Sequence, residues 1–437
     1  MPFGKAARER KQQLAALTDV SVSDIEKRYE FQEEAGTGTS SAVFLAADRQ
    51  SMALSPSKSS LWKMVAVKVF HRKALLSSKS GALEVVRNEV ELLRTRVRHP
   101  CVVRLVETIT DTKSFGIVLE ALQGGDLFSW LSKAALPEHA AKSVFANAAL
   151  AVEHLHAQGI VHRDIKAENF VAESRNSTFF KLVDFGSCAE IAGGVHGMAS
   201  TAHYCAPEVL HSAGFHDATG GTVVAGSGAA YGASCDVWSL GVLLFFMLTR
   251  KLPFGSTKDG DTAVLRLVAA AAHPIGFERA ATAKAWKALS VDARALIETM
   301  VKVEAAARPS WADIKVHTWA KQAIAEREAT IDPADVGPID MSAATAVAKA
   351  IEAASGAAAH ACTTQPAPKR TKAGRWLPCC AVPGRAQAVP GAKLALSAAG
   401  ATVDATGGCG RAGAAAAAAP IASADPAAAE AAVIQYL

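Results

Sequence analysis

His162-Arg163-Asp164-Ile165-Lys166-Ala167-Glu168-Asn169 is followed, fifteen residues after Asn169, by Asp184-Phe185-Gly186. An eight-residue string carrying several polar groups at fixed offsets is highly specific. The spacing lets Asp164 accept a hydroxyl proton, while Lys166 neutralises charge on a moving phosphoryl group. Asn169 and Asp184 supply hard oxygen ligands of the kind Mg²⁺ prefers. Phosphoryl transfer depends on positioning and electrostatics more than on covalent chemistry with the protein, so these residue types suffice. A purely structural Asp and Asn in a buried loop would not require the whole set together.

Working outward, Gly36-Thr37-Gly38-Thr39-Ser40-Ser41-Ala42-Val43 offers a glycine turn whose amides can approach phosphate oxygens. Ser41 stands where G-x-G-x-x-G has its third glycine, which argues against a dinucleotide fold, where that glycine packs a helix closely. Strand-like flanks favour a hairpin. Val65-Ala66-Val67-Lys68 follows, and a strand lysine taken alone would normally face solvent. With a glycine loop upstream, Lys68 can instead hold the α- and β-phosphates, given an anion to fix it. Glu89 is the expected partner and Glu91 its competitor in the helical segment 87–93, because Glu89 lies one turn before Leu93 on the buried side.

These residues resemble the eukaryotic protein kinase signature set, over residues 29–320, about two thirds of the chain. Ala206-Pro207-Glu208 matches the family's A-P-E triplet. Asp236-Val237-Trp238-Ser239-Leu240-Gly241 matches its central helix, and Arg308 the arginine that pairs with the triplet's glutamate. The resemblance implies ATP as phosphoryl donor, Mg²⁺ (or Mn²⁺) at Asn169 and Asp184, and catalytic roles for Asp164, Lys166, Lys68 and Glu89. It implies phosphate contacts from Gly36, Thr37 and Gly38. Leu119 becomes the gatekeeper before hinge residues Glu120 to Leu122, whose backbone binds adenine. Asp126 reaches the ribose, and Val43, Ala66 and Val171 sandwich the ring. Leu93, Leu105, His162 and Phe185 stack as a regulatory spine, a role compatible with plain core packing.

Lys166, two residues after Asp164, favours serine/threonine over tyrosine specificity; Ala167 replaces the usual proline. Thr201 sits seven residues before Glu208, where such kinases contact the base and the lysine. The wording of 120–128 and 204–210 is similar to the calcium/calmodulin-dependent kinase group. Asp126 and Glu168 match acidic positions that bind arginine N-terminal to the phosphosite, implying basic protein substrates. Arg163 marks a kinase whose activation segment can be ordered by phosphate. Yet the usual phosphosite, four residues before Thr201, is Gly197. Ser200 or Ser187 could substitute, but a loop needing no phosphate is the favoured expectation.

The periodicity is sheet-rich first (29–34, 42–47, 64–70, 102–108, 115–119, with a helix at 83–94) and mainly helical after Gly124-Gly125. The expected fold is α+β with two lobes, a small β-rich one and a larger helical one. Residues 1–28 read as a solvated extension in preference to a basic helix, 29–320 as the kinase domain, and 321–437 as a low-complexity, Ala/Gly/Pro-rich, mostly disordered tail. Polar inserts at 49–63 and 212–230 read as surface loops.

Among 437 residues, 50% are apolar, and the net charge is +5. That is too weakly basic to argue for nucleic acid. The eight cysteines form no CxxC pair, which points to neither a disulfide framework nor zinc and suits an intracellular, cytoplasmic location, with nucleus or membrane association left open. No secretory signal is visible, and Pro2 excludes N-myristoylation. The run Val237 to Leu248 is too short to span a bilayer, so a core helix is expected. No calcium-binding loop occurs, and the acidic segment after Trp319 leaves calmodulin binding unsupported. The tail stretch from Lys369 to Cys380 fits a solvated basic patch better than a palmitoylated anchor. The rival to an enzyme is a pseudokinase binding module, but such modules commonly lose a catalytic residue, and Lys68, Asp164, Asn169 and Asp184 all stand. A lipid or small-molecule kinase is disfavoured by Ala206-Pro207-Glu208.

Overall fold

Strict alternation in Val65-Ala66-Val67-Lys68-Val69-Phe70 sends every second side chain to one face of a sheet. The computed structural model describes residues 2–37, 41–54, 62–77, 81–216, 222–256, 259–269, 277 and 282–338. Its first part runs α1 (Pro2–Leu17), β1 (Val20–Ser21), α2 (Ile25–Arg28), β2 (Tyr29–Thr37), β3 (Ser41–Asp48), α3 (Arg49–Leu54), β4 (Met64–His71), α4 (Arg72–Leu75), α5 (Ala82–Thr95), β5 (Leu105–Thr110) and β6 (Ser114–Glu120). The sheet order is β1-β5-β6-β4-β3-β2, antiparallel except for the β1–β5 pair. Val65, Val67 and Val69 join Ile25, Tyr29, Ile109 and Val118 in an outer apolar cluster. Ala66, Phe70, Ile117 and Leu119 belong to the larger inner core. Register places Val43 opposite Lys68 and Leu119 opposite Ala66, so all four share the inner face.

Beyond Gly125 the chain is mainly helical: α6 (Leu127–Lys133), α7 (Glu138–Ala157), α8 (Pro207–Ala213), α9 (Ser234–Thr249), α10 (Asp261–Ala269), α11 (Ala283–Lys287), α12 (Val291–Met300), α13 (Trp311–Val316) and α14 (Lys321–Glu328). Short strands punctuate it. These are β7 (Ile160–Val161), β8 (Phe170–Ala172), β9 (Phe180–Leu182), β10 (Ala189–Glu190), β11 (Phe215–His216) and β12 (Thr222–Val224), paired β7–β10, β8–β9 and β11–β12. The α+β expectation is met. Every residue of α9 from Cys235 to Thr249 is buried, so this mostly apolar helix forms the centre of the helical half. Gly241 permits the closest packing there: a Cβ would lie 2.8 Å from Met300 Cβ and 2.7 Å from Val301 Cγ2.

The N-terminal arm departs from the sequence expectation of a solvated extension. It forms α1, whose Leu14 and Leu17 are 1% and 4% exposed and join the inner core. Three residues apart, the two leucines occupy one face of the helix, which packs on α5. The polar average of the segment conceals that face. Burying each leucine contributes about 1.5–3 kcal/mol. The insert 49–63 begins with the short helix α3, and 212–230 carries the β11–β12 hairpin rather than loop alone. The expectations for Gly38, for the tail beyond 338 and for its Lys369–Cys380 stretch lie outside the described residues.

Candidate active site

Lys68 on β4 and Glu89 on α5 are joined by two bonds, with Lys68 Nζ 2.8 Å from Oε1 and 3.0 Å from Oε2. The same ammonium lies 2.9 Å from Asp184 Oδ1. Glu89 is 2% exposed, while Glu91 faces solvent. Burial alone would lower Lys68, but the Glu89 and Asp184 carboxylates outweigh it and hold the ammonium well above the usual lysine range. Burial would likewise raise Asp184. Lys68 outweighs that too, and the carboxyl sits at about 2. Phe185 is fully buried, its ring centroid 5.6 Å from that of His162 in an edge-on contact. Asn88 adds a tie from α5, donating from Nδ2 to Cys188 O at 3.0 Å.

The loop from His162 to Asn169 is held from below by Asp236. Its buried carboxylate accepts from His162 N and Arg163 N, both at 2.8 Å. Arg163 and Asp184 both sit at positive φ, 71° and 63°. Backbone strain of this kind persists only where the surroundings enforce it. Asp164 Oδ1 accepts from Thr201 N at 3.1 Å and Thr201 Oγ1 at 2.7 Å. Lys166 Nζ lies 3.0 Å from Asp164 Oδ2 and 3.2 Å from Thr201 Oγ1. Asn169 Nδ2 donates to Asp164 O at 2.8 Å, which leaves the amide oxygen as the end available to a cation. Asp184 Oδ2 likewise has no protein partner among the described residues. A hard divalent ion fits this donor set.

Above the loop, Val43, Ala66 and Val171 are all half-buried. The strand bearing Glu120 ends there, and four residues on, at Gly124, a Cβ would come within 2.4 Å of Ala172 Cβ and Ser174 O, so only glycine fits. Bonds from Gly124 N to Ala172 O and from Ala172 N to Gly125 O, both 2.9 Å, pin this connection to β8. They set Asp126 beside Val171. The N–H of Leu122 has no protein acceptor among the described residues, which suits a ring-nitrogen acceptor from a ligand. Asp126 also caps α6, accepting from Ser129 N and Oγ at 2.7 Å each. Glu120 directs its side chain away to Lys181 at 2.8 Å. Gly36 and Thr37 end β2, with Gly36 opposite Val43.

Glu208 and Arg308 form a bidentate pair at 2.6 and 2.8 Å, and Arg308 also donates to the carbonyls of Ser234 and Lys302. Thr201 is occupied by Asp164 and Lys166, and Ser200 lies beside Cys205. The lysine, both carboxylates, the amide and the ion-paired C-terminal half are thus assembled in one arrangement. A family model described as protein kinase domain matches residues 29–320.

The chain belongs to the protein kinase domain family.

Three relatives indicate the neighbourhood within that family. CBL-interacting protein kinase 30 of Oryza sativa subsp. japonica is 35% identical over 237 residues, 53% of this chain and 43% of that protein. Calcium-dependent protein kinase 7 of Arabidopsis thaliana is 29% identical over 312 residues, 70% of this chain and 51% of that protein. CBL-interacting serine/threonine-protein kinase 19 of Arabidopsis thaliana is 33% identical over 232 residues, 52% and 42% of the two chains. The chain spans about half the length of the curated relatives it matches. They agree with the calcium/calmodulin-dependent-like wording of the sequence. Kinases of this family use ATP and a divalent metal. No helix among the described residues is long and apolar enough to cross a membrane.

Several positioning groups carry no signature in the sequence. His156 and Trp311 lie under the loop, with His156 Nε2 2.9 Å from Asp236 Oδ2 and Trp311 Nε1 donating to His156 Nδ1 at 3.1 Å. The two contacts join residues 80 and 155 apart in the chain, so no local pattern marks them. Arg94 also escaped notice: it donates to Leu17 O at 3.1 Å, to both Asp19 oxygens at 3.0 Å and to Thr108 Oγ1 at 3.2 Å.

Proposed function

We propose that the chain is a protein serine/threonine kinase that transfers the γ-phosphoryl group of ATP to hydroxyls of protein substrates. The observation that carries this reading is Lys68 Nζ, held at 2.8 Å by Glu89 and at 2.9 Å by Asp184. That contact joins β4, α5 and the segment at Asp184 in one arrangement. In this reading Asp164 orients the substrate hydroxyl and takes its proton, Lys166 neutralises the transferring group, and Lys68 holds the α- and β-phosphates. Asn169 and Asp184 hold Mg²⁺, or Mn²⁺, which supplies neutralisation of phosphate charge. Val43, Ala66 and Val171 pack the adenine ring against the main chain of Glu120 to Leu122. Gly36 and Thr37 cover the phosphates, and Asp126 shares its α6 cap with the ribose. The four cysteines among the described residues are free and buried, which suits an intracellular setting.

We further infer a preference for basic residues N-terminal to the phosphosite. Glu168 supports it: Oε2 is buried without a hydrogen-bond partner, and burial raises the carboxyl above its usual range. A substrate guanidinium would supply the missing donor and stabilise the charge. The test is phosphate incorporation into a serine/threonine peptide array with Mg-ATP, comparing wild type with Asp184→Ala and Asp164→Asn. Incorporation by wild type alone, concentrated in peptides with upstream arginine, is expected. Equal signals from wild type and Asp184→Ala would sink the enzyme reading. A proline-directed or acidic preference would remove the substrate claim.

A further inference from the structure

The position where the activation segment ordinarily carries its phosphate is Gly197, with φ 78° and no side chain to modify. The guanidinium that such a phosphate would engage is already occupied by main-chain carbonyls. Arg163 Nε donates to Ser187 O at 2.5 Å, and Nη1 lies 3.4 Å from His196 O. What holds the His196 carbonyl in place comes from the end of the 212–230 insert and the residue after it. Val195 and Tyr231 form an antiparallel bridge, with N–H to O bonds of 3.3 and 2.9 Å. His196 Nδ1 lies 3.1 Å from Gly228 O. Tyr231 Oη donates to Gly197 O at 2.8 Å, and the ring is 7% exposed. Gly194 permits the close approach, since a Cβ there would stand 2.6 Å from Ala230 Cβ. Val195, His196 and Gly197 are therefore each hydrogen-bonded to Gly228 or Tyr231.

We propose that Tyr231 is a positioning residue that, with the strand-like end of the 212–230 insert, ties down the activation segment in place of a phosphate. The inference rests on the phosphotransfer reading above. A phosphate would order this segment by bridging Arg163 to the loop through charge-assisted bonds. Here Tyr231 fixes Gly197, Val195 fixes the chain on its other side, and the intervening His196 carbonyl is delivered to Arg163. Arg163 in turn follows directly after His162 and precedes Asp164, so the tether ends at the loop that carries the proposed base. Thr201, four residues beyond Gly197, bonds Asp164 itself. Ser187 serves through its carbonyl, which a phosphate on its side chain would not replace.

The experiment uses full-length chain freed of phosphate, with intact mass as the check. Wild type is expected to keep its peptide activity after phosphatase treatment. Tyr231→Phe removes one hydroxyl and keeps the ring in the core. It is expected to raise the peptide KM about tenfold, the cost of one lost hydrogen bond of about 1.4 kcal/mol, with the KM for ATP unchanged. Amide hydrogen exchange at 194–200 should quicken in the same variant. Adding Gly197→Asp supplies an anion near Arg163 at a position whose backbone Asp tolerates, and should restore the peptide KM. Gly197→Asn, of the same shape but neutral, should not. An unaltered peptide KM and unaltered exchange in Tyr231→Phe would overturn the proposal, as would loss of wild-type activity on phosphatase treatment or equal behaviour of the Asp and Asn double variants. Should the phosphotransfer reading itself fail, no form would label peptide, while faster exchange at 194–200 in Tyr231→Phe would still report the tether.

Discussion

His156 Nε2 lies 2.9 Å from Asp236 Oδ2, and the Trp311 indole donates to the other ring nitrogen at 3.1 Å. Because the indole is a donor only, Nδ1 must accept, so Nε2 carries the hydrogen and gives it to Asp236. Burial would raise the Asp236 carboxyl, but the His156 hydrogen bond and the charges and amides around it hold it below its usual range. Asp236 can then receive His162 N and Arg163 N at once. Asp236→Asn presents an amide where three donors converge and is expected to lower kcat at least 100-fold, about 2.7 kcal/mol. His156→Ala should lower it less, leaving the KM for ATP unchanged. Steady-state kinetics alongside circular dichroism checks both.

Lys68→Met is expected to reduce phosphotransfer by at least 100-fold while the fold persists. It should also release Asp184, whose carboxyl would climb from about 2 toward the ordinary range in a carbon-detected NMR titration. Since the folded carboxyl is depressed, its stabilising contribution is present above the unfolded value near 3.8 and lost as pH falls toward 2. Denaturant unfolding of the variant should lack that acid-side slope.

Glu168 has the opposite sign. Its carboxyl is raised by burial, so the folded state is favoured below the unfolded value and loses that advantage as pH rises. Glu168→Gln is expected to raise Tm at pH 7 by about 2 °C, a gain that vanishes near pH 4. The same substitution should weaken discrimination for upstream arginine in peptide kinetics. A Tm gain that persists unchanged at pH 4 would show that charge is not the cause.

Leu14→Ala and Leu17→Ala open cavities where α1 meets α5, each costing about 2–4 kcal/mol in urea unfolding. Asp19→Ala removes the carboxylate that binds Arg94 on α5 and Thr108 on β5. All three should lower kcat, because α5 carries Glu89. Substitutions at exposed α1 positions such as Glu9 should change neither quantity.

Glu208→Ala strands Arg308, which is 8% exposed and lies with its guanidinium 5.1 Å from the Trp238 ring. Leaving that charge unpaired is expected to cost about 3–5 kcal/mol, measurable as a fall in the urea midpoint at constant slope.

The sequence alone determined the two-lobe order, the strand from Val65 to Phe70, and the motif from His162 to Asn169 with Asp184. Those features are local: a face repeats every two residues, and a loop's chemistry sits within eight. The choice of Glu89 over Glu91 also followed from helical spacing and is observed. What only tertiary structure decided was long-range. Leu14 and Leu17 are two apolar residues in a polar arm, and nothing in that segment says that α5 will cover them. His156 meets Asp236 and Trp311 because the chain folds α7, α9 and the start of α13 onto one another. Tyr231 reaches Gly197 because the 212–230 insert turns back along the activation segment. Burial and hydrogen-bond pairing between distant segments are properties of the packed chain, so they became legible only where the backbone brought those residues within about 3 Å of one another.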